Sequence, residues 1–213
     1  THAKTLQSAL IRMKTHRLYP VEIFEFRFDP DGVDYIDIIN SSNLERRPHT
    51  WVQNTELNLH HLEEWEPVVD FFHSCLGEIH SHFNYDCKGF KVTSMWANKC
   101  EEGVAHEPHR HANSFWSGNL WLNEGTPLLF FDPVQQRSMG QMEIFRRPKI
   151  SMSGIEQNAP IIEKVDAMPH KMVIFPSWFV HSTQQAHADR YSVSFNSMPV
   201  GEINQGILNM EVL

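Results

Sequence analysis

The stretch Arg190-Tyr191-Ser192-Val193-Ser194-Phe195-Asn196 decides how this chain is read. Tyr191, Val193 and Phe195 recur at every second position, and Arg190, Ser192, Ser194 and Asn196 fill the gaps. Successive side chains of an extended strand point to opposite sides, so this period predicts a strand between two unlike environments. One side belongs to a hydrophobic core. The other either meets solvent or faces the interior of a closed sheet. In the second case the arginine and the serine have a use: a guanidinium fork and a hydroxyl can grip a carboxylate together.

Working outward, short apolar runs separated by turn residues occur at Phe115-Trp116, Leu120 to Leu122, Leu128 to Phe131 and Met172 to Phe175, and Phe90 to Asn98 is also β-like. Many short strands with no helical pattern between them predict a sandwich or a jelly roll. Residues 137–162 are rich in polar residues, Met, Gly and Pro, and read as a long insertion of the kind that forms lids or binding loops. Towards the N-terminus, Val21, Ile23, Phe24 and Phe26 read as extended, ahead of a turn at Asp29-Pro30-Asp31-Gly32. Asp34 to Ile39 is either a second β-prone piece or a short helix, and Ser41 to Thr55 reads as loop. From Leu59 to Phe83, Leu62, Trp65, Val69, Phe72, Leu76, Ile79 and Phe83 step by three or four, which is helical; Pro67 marks the first turn of a second helix. The expectation is one mainly β domain over 1–213, with strands and flanking helices in 1–89 and a jelly-roll core in 90–200.

The 213 residues are 41% apolar and carry a formal net charge of −8 with no long basic run, which disfavours a nucleic-acid surface. Cys75, Cys87 and Cys100 are odd in number and lack CxxC spacing, so no disulfide framework is expected and a reducing cytoplasm is the natural compartment. No apolar run is long enough to span a membrane, and the first residues, with Lys4, Arg12, Lys14 and Arg17, lack a signal-peptide apolar block. Of the 14 histidines, His60, His61, His73, His80 and His82 fall in the helical segment. His73 and His80, seven apart, could form a metal stripe; a plain helix surface is the simpler reading.

His109-Arg110-His111 is a His-x-His, and His181 follows in Phe175-Pro176-Ser177-Trp178-Phe179-Val180-His181. Two histidines at i and i+2 on a strand share a face, roughly 6.6 Å apart along the backbone. A third from a distant strand would complete a facial metal set with open positions opposite. The alternative is a surface loop after Pro108. Glu107 and Asp132 are candidate carboxylate ligands, and His106, offset by three from His109, reads as an outer or surface residue. Arg190 and Ser192 lie nine and eleven positions after His181.

Several ordered motifs carry a resemblance to a known family. They are Trp96-Ala97-Asn98, His109-Arg110-His111-Ala112-Asn113-Ser114, Trp116-Ser117-Gly118-Asn119-Leu120-Trp121-Leu122, Phe131-Asp132-Pro133, Phe175-Pro176-Ser177-Trp178 with His181, and Arg190-Tyr191-Ser192 with Phe195-Asn196. Over roughly residues 90 to 197 the chain resembles the 2-oxoglutarate/Fe(II)-dependent oxygenases, in particular bacterial and phage members that are distantly prolyl-hydroxylase-like. The resemblance implies a double-stranded β-helix, a cupin-like jelly roll. It implies Fe(II) at His109, His111 and His181, and 2-oxoglutarate with its distal carboxylate at Arg190 and Ser192. Asn113, Ser114, Trp121 and Asn196 would be pocket residues. The implied reaction consumes molecular oxygen, hydroxylates a prolyl, peptidyl or small amino-acid-like substrate, and releases succinate and CO2. Most of the wider superfamily carries Asp or Glu where this chain has His111, which leaves the site more positive by one charge.

Two other readings compete. A cupin-like protein could hold zinc or nickel on three histidines for binding, lyase or isomerase chemistry, but it has no need of Arg190 and Ser192. A barrel serving only as an interaction module would need neither set. The helical N-terminal half either covers the barrel or makes a homodimer interface, and neither nucleic acid nor membrane is expected as a partner.

Overall fold

The computed structural model describes residues 21–46, 51–131, 161–206 and 210–212. Most of the expected insertion, 137–160, lies outside these residues, as do Asp132 and the N-terminal basic residues.

The chain opens with β1 (Phe24–Arg27), which ends at the predicted turn. Asp29 Oδ1 accepts from the Asp31 N–H at 3.1 Å there. Asp34 to Ile39 resolves as helix: α1 (Tyr35–Ser41) starts where the Asp34 carboxylate accepts from the N–H groups of Ile36 and Asp37. A side-chain cap of that kind satisfies amides that the first helical turn leaves free. The polar stretch after it is not all loop. β2 (Glu45–Arg46) and β3 (Gln53–Asn54) pair with each other, and β3 pairs with β4 (Gly89–Cys100). Backbone pairing needs no apolar side chains, so hydrophobic periodicity does not show it.

The helical segment begins as two short 3-10 turns and becomes α2 (Glu66–Phe83), with Pro67 in its first turn. It stops at Asn84, whose left-handed backbone (φ 51°) returns its N–H to the carbonyls of His80 and Ser81. The remaining strands are β5 (Trp116–Trp121), β6 (Leu128–Phe131), β7 (Ile161–Val165), β8 (Lys171–Pro176), β9 (His181–Thr183), β10 (Arg190–Ile203) and β11 (Met210–Val212). They form two antiparallel sheets. The larger has the order β1-β8-β5-β10-β4-β3-β2, with β11 added to β10, and the smaller has β7-β6-β9.

These sheets make the mainly β jelly roll expected of the sequence. The alternation in β10 is explained by what lies on each side. Val193 and Phe195 are fully buried and Tyr191 nearly so, in the core that α2 closes over the large sheet; the Phe72 and Phe195 rings lie 4.4 Å apart. Gly118, opposite Phe195 on β5, makes room for that ring, since a Cβ there would sit 2.3 Å from Phe195 Cε1. On the other side, Arg190, Ser192 and Ser194 are also buried, so this face does not meet solvent. It looks into the space between the sheets, beside a second core of Trp121, Phe130, Val173, Phe175 and Phe179. Burying two faces of one strand requires a layer on each side, here α2 and the small sheet. No helix among the described residues is long and apolar enough to cross a membrane.

Candidate functional site

His109 and His181 are brought together by the backbone. Each donates its N–H to the other's carbonyl, at 2.9 and 3.0 Å, as one antiparallel pair. Residues paired in this way project their side chains to the same face, and the two rings lie 4.4 Å apart. His111, two residues on, is anchored by its N–H to Ser177 O at 2.9 Å and joins the same face, its ring 5.3 Å from His109 and 5.2 Å from His181. One ligand nitrogen from each lies within 4.8 Å of the others, the one such cluster among the described residues.

The proton arrangement follows from the partners. His109 Nδ1 meets Glu107 O at 2.7 Å, His111 Nδ1 meets Asn196 Oδ1 at 2.7 Å, and His181 Nδ1 meets Phe179 O at 2.9 Å. A carbonyl oxygen only accepts, so each Nδ1 carries the hydrogen and each Nε2 keeps its lone pair. Burial first, and then the neighbouring imidazoles, push His111 down to about 4 and His181 well below the ordinary histidine value; burial also lowers His109. Three neutral rings offering three lone pairs make a donor set for a late first-row cation.

The acceptor behind His111 is itself fixed. Asn196 Oδ1 also accepts from Ser117 Oγ at 2.8 Å, and Ser117 and Ser177 share a hydrogen bond of 2.7 Å. Ser177 Oγ is also 2.7 Å from Ser114 Oγ. The serines of the recurring motifs thus form a buried chain that holds Asn196. Trp96 stacks beside His111, with centroids 5.9 Å apart.

The three histidines line a small cleft. Its wall includes Trp121, Asn98, Asn119, Ser192, Ser194 and Arg190. Arg190 is 3% exposed, and its Nη1 donates to Thr126 Oγ1 at 2.8 Å. Its Nε is buried without a hydrogen-bond partner, and no described carboxylate pairs with it. A side chain at Gly125 would collide with it, a Cβ falling 2.7 Å from Arg190 Cγ and Cδ. Ser192 Oγ accepts from Asn98 Nδ2 at 3.3 Å.

Other sequence-singled residues fall elsewhere. Asn113 is exposed at a positive φ of 55° and does not line the cleft. Glu107 is exposed and contributes a backbone carbonyl rather than a carboxylate. The helical histidines have structural partners: His73 Nε2 accepts from the Val92 N–H, His80 bonds Cys87 O, and His82 pairs with Glu22. Trp178, from the Phe175–Trp178 motif, is exposed and lies against Phe179. Sequence reasoning missed Thr126, which no spacing marks, and Thr183, which lines the cleft; of the two places it offered His106, outside the ligand set beside the site or on the surface, the first fits, since His106 lines the cleft.

Residues 94–196, just under half the chain, match the family described as "Putative 2OG-Fe(II) oxygenase". No curated protein sequence matches. Among solved structures, the chain is similar to a Pseudomonas putida prolyl-4-hydroxylase (TM-score 0.54, 14% identity, 83% of this chain and 92% of that one). It is similar to HygX from Streptomyces hygroscopicus, solved with nickel and 2-oxoglutarate bound (0.56, 10%, 84% and 83%). It is also similar to SnoN, a non-heme α-ketoglutarate-dependent epimerase from nogalamycin biosynthesis (0.58, 11%, 88% and 81%). At these identities the structural likeness speaks to the fold. The family match spans the segments that carry all three converging histidines and the buried arginine, so the barrel core resembles the 2OG-Fe(II) oxygenases, a family whose members work with Fe(II), 2-oxoglutarate and molecular oxygen.

Proposed function

We propose that this enzyme hydroxylates a peptidyl, prolyl or small amino-acid-like substrate, with His109, His111 and His181 holding Fe(II). In this reading Arg190 and Ser192 bind the distal carboxylate of 2-oxoglutarate, and residues 90–200 carry the chemistry within a single domain. The observation that carries the proposal is the three Nε2 lone pairs, locked by three Nδ1 hydrogen bonds, in the same cleft as a buried arginine with no acid partner among the described residues. The residues fit both groups: three neutral imidazoles suit a divalent cation, and the unpaired Arg190 Nε suits a carboxylate oxygen. The substrate class rests on the prolyl-4-hydroxylase likeness, and a cytoplasmic location rests on three free thiols without a disulfide.

When bound, the metal and ketoacid supply the oxidising chemistry. The chain's own part is placement. Arg190 is tethered by Thr126, so its guanidinium is aimed before a ligand arrives, and little ordering is left to the moment of binding. Trp121 and Phe175 line the cleft and keep part of it dry, which strengthens the arginine–carboxylate attraction. Asn196 keeps the proton of His111 on Nδ1, away from the metal face.

A second reading has one observation in its favour. The described ligand set has no carboxylate, and an all-histidine set also suits zinc or nickel in a cupin-like protein without oxygenase activity. Anaerobic titration of metal-free protein with Fe(II) and then 2-oxoglutarate separates the two. A visible metal-to-ligand charge-transfer band is expected, and Arg190→Ala should weaken the ketoacid far more than the metal. Metal binding with no band would favour the cupin-like reading, and equal loss of both ligands in Arg190→Ala would make that residue a support of the fold.

A further inference from the structure

We infer that His106 is a further binding residue for the distal carboxylate of the ketoacid, acting together with Arg190; this rests on the oxygenase reading above. His106 is pinned by its backbone. Its N–H donates to Thr183 Oγ1 at 2.9 Å, and its carbonyl accepts from the Thr183 N–H at 3.1 Å. The ring is therefore delivered to one place on the cleft wall, and that place is next to strand β9 rather than on a free loop. Its Nε2 is buried without a hydrogen-bond partner. The cleft has one other buried polar side-chain atom in that condition among the described residues, Arg190 Nε.

Two orphaned buried nitrogens in one cleft are costly unless a ligand satisfies them. Arg190 Nε can only donate, and His106 Nε2 donates in one tautomer, so a ligand bearing two acceptor oxygens answers both. A carboxylate is such a ligand. No described carboxylate side chain lines the cleft, so none among the described residues competes for the role. His106 is not a fourth member of the metal set. It lies outside the group whose ligand nitrogens fall within 4.8 Å, although its ring is 5.4 Å from that of His109.

The test uses Ni(II)-loaded protein, so that binding is read without turnover, and two ketoacids: 2-oxoglutarate, and 2-oxobutanoate, which lacks the distal carboxylate. Calorimetry on His106→Leu should show 2-oxoglutarate weakened about 10- to 100-fold, the span of one hydrogen bond to a charged group. Affinities for 2-oxobutanoate and for Ni(II) itself should be unchanged. His106→Gln, which keeps an N–H donor, should recover most of the loss, and it also guards against a Leu variant that fails to fold. Equal weakening of both ketoacids, a loss of Ni(II) affinity, or no change for 2-oxoglutarate would each overturn the assignment. Wild-type protein that binds nickel but neither ketoacid would instead sink the oxygenase reading, and this proposal with it.

Discussion

Asn196→Ala removes the acceptor that fixes His111. The wild-type amide oxygen takes two hydrogen bonds, from His111 Nδ1 at 2.7 Å and from Ser117 Oγ at 2.8 Å, while its Nδ2 donates to Ser94 Oγ at 3.2 Å. Their losses differ in consequence. Ser117 keeps Ser177 at 2.7 Å, and Ser94 is half-buried near water, so neither is left without a partner. His111 loses its one ring partner. The imidazole can then turn, or place its proton on Nε2, where it would block a metal. Truncating an outer partner of a metal-binding histidine typically costs about 10- to 100-fold in metal affinity, or about 1.4 to 2.8 kcal/mol. The fold should lose less, about 1 to 2 kcal/mol, because the hydrogen bonds given up are partly replaced.

Calorimetric titration of the metal-free protein with Ni(II), alongside urea unfolding, reads both quantities. Asn196→Asp is the control, since it keeps an oxygen facing His111 Nδ1 and adds negative charge behind the ring; it should bind metal at least as tightly as wild type. Asn196→Ala within twofold of wild type would show that His111 does not depend on this contact. Equal weakening by Ala and Asp would mean that the residue supports the strand and not the ligand.

Three further outcomes are expected. Gly118→Ala should destabilise the fold by about 1 to 3 kcal/mol, because its Cβ would fall 2.3 Å from a Phe195 ring already packed on Phe72; an unchanged urea midpoint would show that the ring moves freely. A thiol reagent should modify half-buried Cys87 in the folded protein well before Cys75, whose thiol burial pushes up to about 12, and before buried Cys100; three equal rates would contradict the packing. The metal-free protein should weaken as pH falls below about 6.5, the ordinary histidine value. His106 and His111 are held to about 3 and about 4 by burial, so in that window the unfolded chain binds more protons than the folded one. Stability is then complete above about 6.5 and drops by up to about 1.4 kcal/mol per pH unit for each such histidine. A urea midpoint that stays level from about pH 7 to about pH 5 would contradict this.

The parts of the fold that the sequence announces are those where one residue's environment repeats with a simple period. Tyr191, Val193 and Phe195 mark β10 because one side of it is a continuous core, and α2 is marked by the residues that press on that core. β2 and β3 carry no such mark, since they hold their places through backbone bonds and through Asn54 on Asn98, at 2.7 Å. The same division runs through the site. His109 and His111 share a face by strand period alone, and their meeting with His181 could be anticipated from the motifs but depends on a backbone pairing 72 residues apart, which leaves no local signature. The offset of His106 from His109 keeps it out of the ligand set but does not say whether it faces the cleft. The segment around it is not a regular strand, and Thr183 sets where the ring goes.

The absence of a carboxylate from the proposed ligand set has a consequence that geometry alone does not express. Three neutral imidazoles leave the full charge of a divalent cation uncompensated, whereas two histidines and a carboxylate would leave one unit. Arg190 adds another positive charge to the same cleft, and no described acidic side chain lines it. Placing a dication there before an anion arrives is therefore electrostatically uphill, and more so because the walls exclude water. In the proposed arrangement a dianionic ketoacid would reverse the balance, one carboxylate offsetting the cation and the other Arg190. His111 and Arg190 would then belong to one electrostatic unit. Metal and co-substrate must favour each other's binding, by equal amounts in either order of addition, and an aspartate at 111 would tighten the metal while loosening that coupling.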